Sequence, residues 1–218
     1  MAERGRPRSF ERAAALRRAM EVFWTKGYDG ASLADLTAAM GIAAPSLYAA
    51  FGSKEALFRE AVALYGETEG TEIWTALPEA SSARAAIEGF LRGSAISFTR
   101  PDRPAGCLVV LSALLANEGN ARVCRELRES RAGNVAALRE RFERAVAEGE
   151  LAGDFDCEAA AAFYATVQQG MSIQARDGAS RATLLAIADC AMAAWDGMIA
   201  RQQGMRGERL SADHPQPR

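Results

Sequence analysis

Histidine is almost missing from this chain: the 218 residues hold one, His214, close to the C-terminal end. That removes the commonest general base and metal ligand from the body of the protein. Cysteine is sparse too. Cys107, Cys124, Cys157 and Cys190 lie 17, 33 and 33 residues apart, and no CxxC pair occurs. A structural zinc site is therefore not expected, and neither is any other metal. No GxGxxG or other Gly-rich phosphate loop is present, so no nucleotide cofactor is expected. Runs of Val, Ile and Thr alternating with period two scarcely occur, which argues against sheet. No stretch reads as the roughly 18 continuous apolar residues of a membrane span, and residues 1–19 are charged throughout, unlike a signal peptide. The expectation is a protein of the reducing cytoplasm, with no membrane partner and with its thiols free and mostly buried.

Hydrophobic residues make up 49% of the chain, enough to bury a core. Alanine dominates, with Leu, Glu and Arg, all strong helix formers. The chain reads as all-α. Its formal net charge is -2, but the charge is unevenly spread. Residues 1–26 hold seven basic side chains (Arg4, Arg6, Arg8, Arg12, Arg17, Arg18, Lys26) against Glu3, Glu11 and Glu21, an excess of +4, so the remainder carries -6. A basic end on an acidic body suits a DNA-binding head.

Residues 1–8 (MAERGRPR) read as a flexible basic arm. A first helix over about 10–26 follows, with Ser9 as N-cap, Leu16, Met20, Phe23 and Trp24 on its buried face, and Gly27 as its stop. Ser32-Leu33-Ala34-Asp35 opens a second helix as a capping box with Asp in the usual Glu place. That helix turns Leu33, Leu36 and Met40 inward and ends at Gly41-Ile42. A third, over about 44–51, has Pro45 in its first turn and Leu47 and Phe51 on its inner face. Gly52 stops it and Ser53 caps a fourth. Helices are expected over 54–75, 84–99, 106–117, 119–149, 156–176 and 180–204, about nine in all. The punctuation lies at Leu77-Pro78, Pro101-Asp102-Arg103-Pro104, Asn117–Gly119, Gly153-Asp154 and Asp177-Gly178. This divides the chain into a head (9–55), a larger domain (56–204) and a polar tail (205–218) expected to be disordered.

Met40-Gly41-Ile42-Ala43 has the length and chemistry of the turn in a helix-turn-helix. The third helix offers Ala44, Ser46, Ala49 and Ala50 outward, small residues that let a helix sink into a major groove. Tyr48 reaches toward the backbone or a thymine methyl; Lys54 and the second helix's start at Ser32 are placed for phosphates. On pattern alone a plain three-helix packing unit stays open, with Tyr48 a core-rim aromatic and Lys54 a solvated lysine.

The run from Gly41 to Leu57 (GIAAPSLYAAFGSKEAL), with Phe23, Gly27, Tyr28 and the helix from Ser32 to Met40, resembles the signature of TetR-type transcriptional regulators over about residues 10–60. The resemblance implies that Ala44, Pro45, Ser46, Tyr48 and Ala49 lie on recognition-helix positions and Ser32 and Lys54 on phosphate contacts. Where such regulators often carry a histidine or larger polar residue after the tyrosine, this chain has Ala49 and Ala50. Specificity then leans on Ser46, the Arg-rich arm and DNA shape.

The same resemblance implies a C-terminal helical domain that binds a small molecule and forms a homodimer. The stripes on the last two helices fit this: Phe163 and Val167 on one, Leu184, Ala188, Met192, Trp195 and Ile199 on the other are assigned to a four-helix interface, packing within one monomer being the alternative. The segment 106–115 is apolar all round and reads as a buried central helix. Phe90, Phe98, Cys107, Leu111, Phe142, Tyr164 and Gln168 are the candidate lining of a pocket for an apolar or aromatic effector, with Tyr164 and Gln168 its polar handles; ordinary core packing is the alternative for each. A redox role for Cys107 or Cys124 needs exposure and a lowered pKa; Arg103 near the first and Arg122 and Arg125 around the second are the only charge support. The function expected is a repressor released from a palindromic double-stranded operator by a small effector. The alternatives are an activator of the same fold and an effector-independent or architectural DNA-binding protein. An enzyme is not expected, because no nucleophile–base pair is evident.

Overall fold

Met20, Phe23 and Trp24, spaced to share one helical face, are all buried in the computed structural model of the chain, with Leu16 packed at their edge. The structure describes the backbone of residues 7–212 and, apart from Ala76, the side chains of residues 12–199. Helix α1 (Pro7–Gly30) is broken at Gly27, whose φ of 71° is left-handed. It starts two residues before Ser9, the expected N-cap. Proline is suited to a first helical position because it has no N–H to leave unpaired. Residues 1–6 of the expected arm lie outside the described residues.

Helices α2 (Leu33–Met40) and α3 (Ala44–Phe51) follow, then α4 (Lys54–Tyr65). Ser32 and Asp35 form the reciprocal capping box, and Gly41 closes α2 in the left-handed conformation. Ser53 caps α4 through the Ala56 amide. The long helix expected over 54–75 instead loosens into one π-helical turn between Gly66 and Gly70 before α5 (Thr71–Trp74). Thr71 Oγ1 bonds the Gly66 and Glu67 carbonyls there.

The larger domain continues with α6 (Ala76–Glu79), α7 (Ala83–Phe98), α8 (Leu108–Leu111), α9 (Ala121–Ala147), α10 (Cys157–Arg176) and α11 (Arg181–Ala212). Helix α7 is central: Ile87, Phe90, Leu91 and Phe98 are fully buried, and α5, α6, α9, α10 and α11 all pack on it. Among the described residues every regular element is helical, as the composition predicts.

Two expectations change. The apolar segment 106–117 is not a central helix but a single turn, α8, followed by an irregular stretch that leaves Leu115 86% exposed. Its backbone finds partners elsewhere: Asn120 receives the Asn117 amide and donates to the Leu115 carbonyl, while the Ser112 carbonyl accepts from the Tyr28 amide. Secondly, Arg181–Ile199 of α11 is long and apolar enough, with a mean hydropathy of 1.4, to meet the length and composition of a span. One face of it packs on α7 and α10, and at the edge of that contact Asp189 and Asp196 pair with Arg92 and Arg84 of α7. Helix α11 also takes in residues 205–212, the first part of the expected tail; residues 213–218 lie outside the described residues.

Candidate nucleic-acid interface

The head holds α2 and α3 at a bend of 87°, close to the angle of a helix-turn-helix. Leu36, Met40, Leu47 and Phe51 fix that angle from inside, with Ile42 packed at the turn. Phe23, Tyr28 and Phe58 form an edge-to-face cluster that binds α1 to α4 behind them, with centroids 5.0 Å apart for Phe23–Phe58 and 5.1 Å for Tyr28–Phe58.

What α3 presents outward is then fixed by the position of Leu47 and Phe51. Ala44, Pro45, Ser46, Ala49 and Ala50 are exposed, and Tyr48 is 45% exposed with no packing role in the core. Beside them a depression of about 460 Å³ runs between α1 and α3, lined by Arg12, Ile42, Ser46 and Ala50 among others. Arg12 is already engaged: its guanidinium lies 4.3 Å from the Phe51 ring centroid and donates to the Ala50 carbonyl and to Glu60. It holds the end of α3 to α1 and α4. No local pattern in the sequence marks this role, which depends on residues 38 and 48 positions away.

Ser32 spends its hydroxyl within the cap, donating to Asp35 at 2.7 Å and accepting the Asp35 amide at 3.0 Å. The N-terminal amides of α2, rather than the Ser32 side chain, are thus what remains for a phosphate. Lys26, hydrogen-bonded to Asp35 at 2.5 Å, and then Ser32 pull the Asp35 carboxyl down to about 2. Lys54 rests its ammonium 4.5 Å from the Tyr28 ring centroid. Burial lowers its pKa, and Asp29 nearby partly offsets that.

The head is tied to the larger domain by a compact joint. Arg176, in the last turn of α10, donates to the Trp24 and Thr25 carbonyls at 2.6 and 2.8 Å and to the Ala105 carbonyl at 3.1 Å. A cation at the carbonyl end of α1 also meets the negative end of its dipole. Trp24 Nε1 donates to the Gly106 carbonyl, and the Tyr28 amide to that of Ser112. Asn120 donates to Asp29 at 2.6 Å, and Arg59 pairs with Glu126 on α9. Gly27 and Gly106 are both left-handed, and a Cβ on either would lie 2.9 and 2.6 Å from the Ser112 and Ser172 carbonyl oxygens.

The residues expected to line an effector pocket fall in the core. Phe90, Phe98, Phe142 and Tyr164 are fully buried, Cys107 and Gln168 nearly so, and Leu111 partly. Phe142 and Tyr164 pack with Phe155 and Trp195 in one aromatic cluster, and the Tyr164 hydroxyl lies 3.5 Å from the Ala191 carbonyl. None of these residues lines the cavity of about 350 Å³ in the larger domain, which is bounded by Trp74, Leu77, Pro78, Ala137, Glu140, Arg141 and Arg144. Burial pushes the Cys107 thiol up and Cys124 is buried, so neither meets the requirement of an exposed, activated thiol. Arg103 is committed to Glu69. Of the residues assigned to a dimer interface, Leu184, Ala188, Met192 and Trp195 are buried inside the protomer, whereas Phe163 is exposed and Val167 and Ile199 are partly so.

This head and body match known proteins along most of the chain. Residues 15–61 match the model for bacterial regulatory proteins of the tetR family, and residues 83–187 that for the tetracyclin repressor-like C-terminal domain. The HTH-type transcriptional repressor ComR of Escherichia coli is 35% identical over 197 residues, 90% of this chain and 94% of ComR. BdcR, another Escherichia coli HTH-type repressor, is 30% identical over 84% of this chain and 88% of its own length. A structure of the TetR family regulator CifR, a C99T-C181R mutant with 26-bp double-strand operator DNA, superposes with a TM-score of 0.84 at 49% identity, covering 87% of this chain and 100% of that one. With α3 exposed on a three-helix head, and relatives of this similarity over most of its length, the chain belongs to the TetR family and is a DNA-binding transcriptional regulator.

Proposed function

We propose that the protein is a repressor that binds a palindromic operator as a homodimer and is released from it by a small-molecule effector. The observation that carries the reading is α3: a short helix with only small side chains and Tyr48 outward, suited to close approach in a major groove. The operator complex of CifR and the repressor names of ComR and BdcR support it. Ala44, Pro45, Ser46, Tyr48 and Ala49 meet bases and the adjoining sugar-phosphate, while Lys54 and the start of α2 at Ser32 meet phosphates. A lone short helix is a weak specific binder, so two heads one helical turn apart supply the affinity.

The dimer forms through the outward faces of α10 and α11. Phe163 and Ile173 are exposed on α10, and Ala182, Ala186, Cys190 and Ala193 on α11; Val167 and Ile199 extend that face. Apolar side chains left in water on two adjoining helices are what an isologous four-helix contact covers. The protein acts in the cytoplasm, where its operator is. Gel shifts of the full chain on its own upstream DNA, with and without small molecules, test the reading. Binding to a promoter fragment that weakens on adding an effector is the expected result. Failure to shift any promoter fragment at low salt overturns it.

A further inference from the structure

The cavity beneath α6 contains a chemical oddity. Arg141 lines it and is 4% exposed, yet its Nε and Nη1 have no hydrogen-bond partner; Arg144 Nε, in the same wall, has none either. Buried guanidinium donors are rarely left unpaired, because each costs its desolvation without return. The neighbouring carboxylates do not relieve this. Both oxygens of Glu150 are taken by the Ala83 amide at the start of α7, at 2.7 and 2.9 Å, and the closest approach to Arg141 is 3.6 Å. Glu148 stands 3.9 Å from Arg144 Nε, beyond hydrogen-bond range. Apart from Glu140, the rest of the wall is apolar: Trp74, Leu77, Pro78 and Ala137.

We infer that this cavity binds an organic monoanion, a carboxylate with an apolar or aromatic body, whose oxygens complete the Arg141 guanidinium. Its volume of about 350 Å³ is at the small end of ligand sites, room for a body of one or two rings. A planar guanidinium suits a carboxylate in bidentate fashion, and Trp74 in the wall is an aromatic surface for the body. Glu140 also lines the cavity, so a second negative charge on the ligand meets repulsion. Arg141 sits on α9, the helix whose N-cap residue Asn120 donates to Asp29 of the head and whose first turns pair with Arg59 of α4, so one helix joins the cavity to the head. The anion's role as effector rests on the repressor reading; its binding in the cavity does not.

The test is calorimetric titration of the full chain with benzoate, octanoate and 1-naphthoate, each beside its neutral amide. At least one acid is expected to bind about tenfold or more tighter than its amide, and Arg141→Met to lose that preference while leaving the amide within about twofold. Ala137→Phe, which fills the cavity without touching the charge, is expected to abolish binding of both; it decides the matter if Arg141→Met fails to fold by circular dichroism. Equal binding of acid and amide, no binding by any acid, or acid binding unchanged in the variants overturns the inference. Operator gel shifts on the same preparations separate the two readings. An unliganded protein that shifts no promoter DNA overturns the repressor and leaves the anion site standing, whereas intact operator binding with no acid preference overturns the anion site alone.

Discussion

Tyr48 is the large aromatic that α3 leaves in solvent while Leu47 and Phe51 beside it are buried. Nothing in the head's core depends on it, so Tyr48→Ala is expected to raise the operator Kd about tenfold with no change in the unfolding midpoint, compared by gel shift and thermal melt. Lys54→Met should instead lower the slope of log affinity against log salt by about 1, because it removes one proposed phosphate partner. Asp35 supplies a pH dependence at the same scale. Its carboxyl, held at about 2 by Lys26 and Ser32, titrates below its ordinary 3.8. The capped start of α2 is therefore fully stabilised above pH 4 and loses that contribution as the pH falls toward 2. Asp35→Asn should remove this acid-limb component from a stability–pH profile. At Gly27, alanine must adopt a φ of 71° and bring its Cβ to 2.9 Å from the Ser112 carbonyl oxygen. Gly27→Ala is expected to cost about 1–3 kcal/mol, read by chemical denaturation.

At the scale of elements, local signals carried far. The Ser32–Asp35 box, the Gly41 turn, Pro45 in the first turn of α3 and the Ser53 cap depend on neighbours within three or four residues, and all are legible in the sequence. Residues 106–117 were not. Ten nearly continuous apolar positions satisfy a buried-helix pattern, but the Ser112 carbonyl is claimed by Tyr28, 84 positions upstream, and Asn120 rewires the end of the stretch. Long-range acceptors leave no periodic trace. The same holds for Arg176, a basic residue at a helix end on pattern alone, whose three carbonyl bonds reach α1 and residue 105. Arg176→Met is expected to destabilise the chain by about 2 kcal/mol, with amide exchange quickening over residues 24–31 ahead of the α2–α3 core.

For the molecule as a whole, the difference between apolar and available decides the interface. The stripe of Leu184, Ala188, Met192 and Trp195 reads as a dimer face from periodicity, yet a helix with two apolar faces shows the same richness. The structure turns this stripe inward, against α7 and α10, and leaves small residues outside. Sequence periodicity identifies that α11 has something to bury, not which side a neighbour already covers. Phe163→Glu, on the exposed face of α10, is expected to shift the proposed dimer to monomer in sedimentation velocity and to weaken operator binding at least tenfold, with the protomer's helicity retained. The cavity beneath α6 leaves as little trace in the sequence. Phe90, Phe98, Phe142 and Tyr164 pack together in the core, whereas the cavity is bounded in part by Arg141 and Arg144, which no apolar pattern marks.

The joint between head and body has one property with reach beyond this chain. Most of its acceptors are main-chain carbonyls, at residues 24, 25, 105, 106 and 112. The bonds persist whatever side chains stand at 25, 105 and 112, provided that Trp24, Gly27, Gly106 and Arg176 are kept. Asn120–Asp29, Arg59–Glu126 and Arg122–Glu55 are the side-chain pairs that must be matched across it among the described residues. The polar part of the joint thus tolerates exchange of the head at most positions. A chimaera that places another regulator's residues equivalent to 1–60 on this body needs a tryptophan to meet Tyr65, a glycine and three complementary polar contacts to seat correctly, and it would then carry the proposed effector response to another operator.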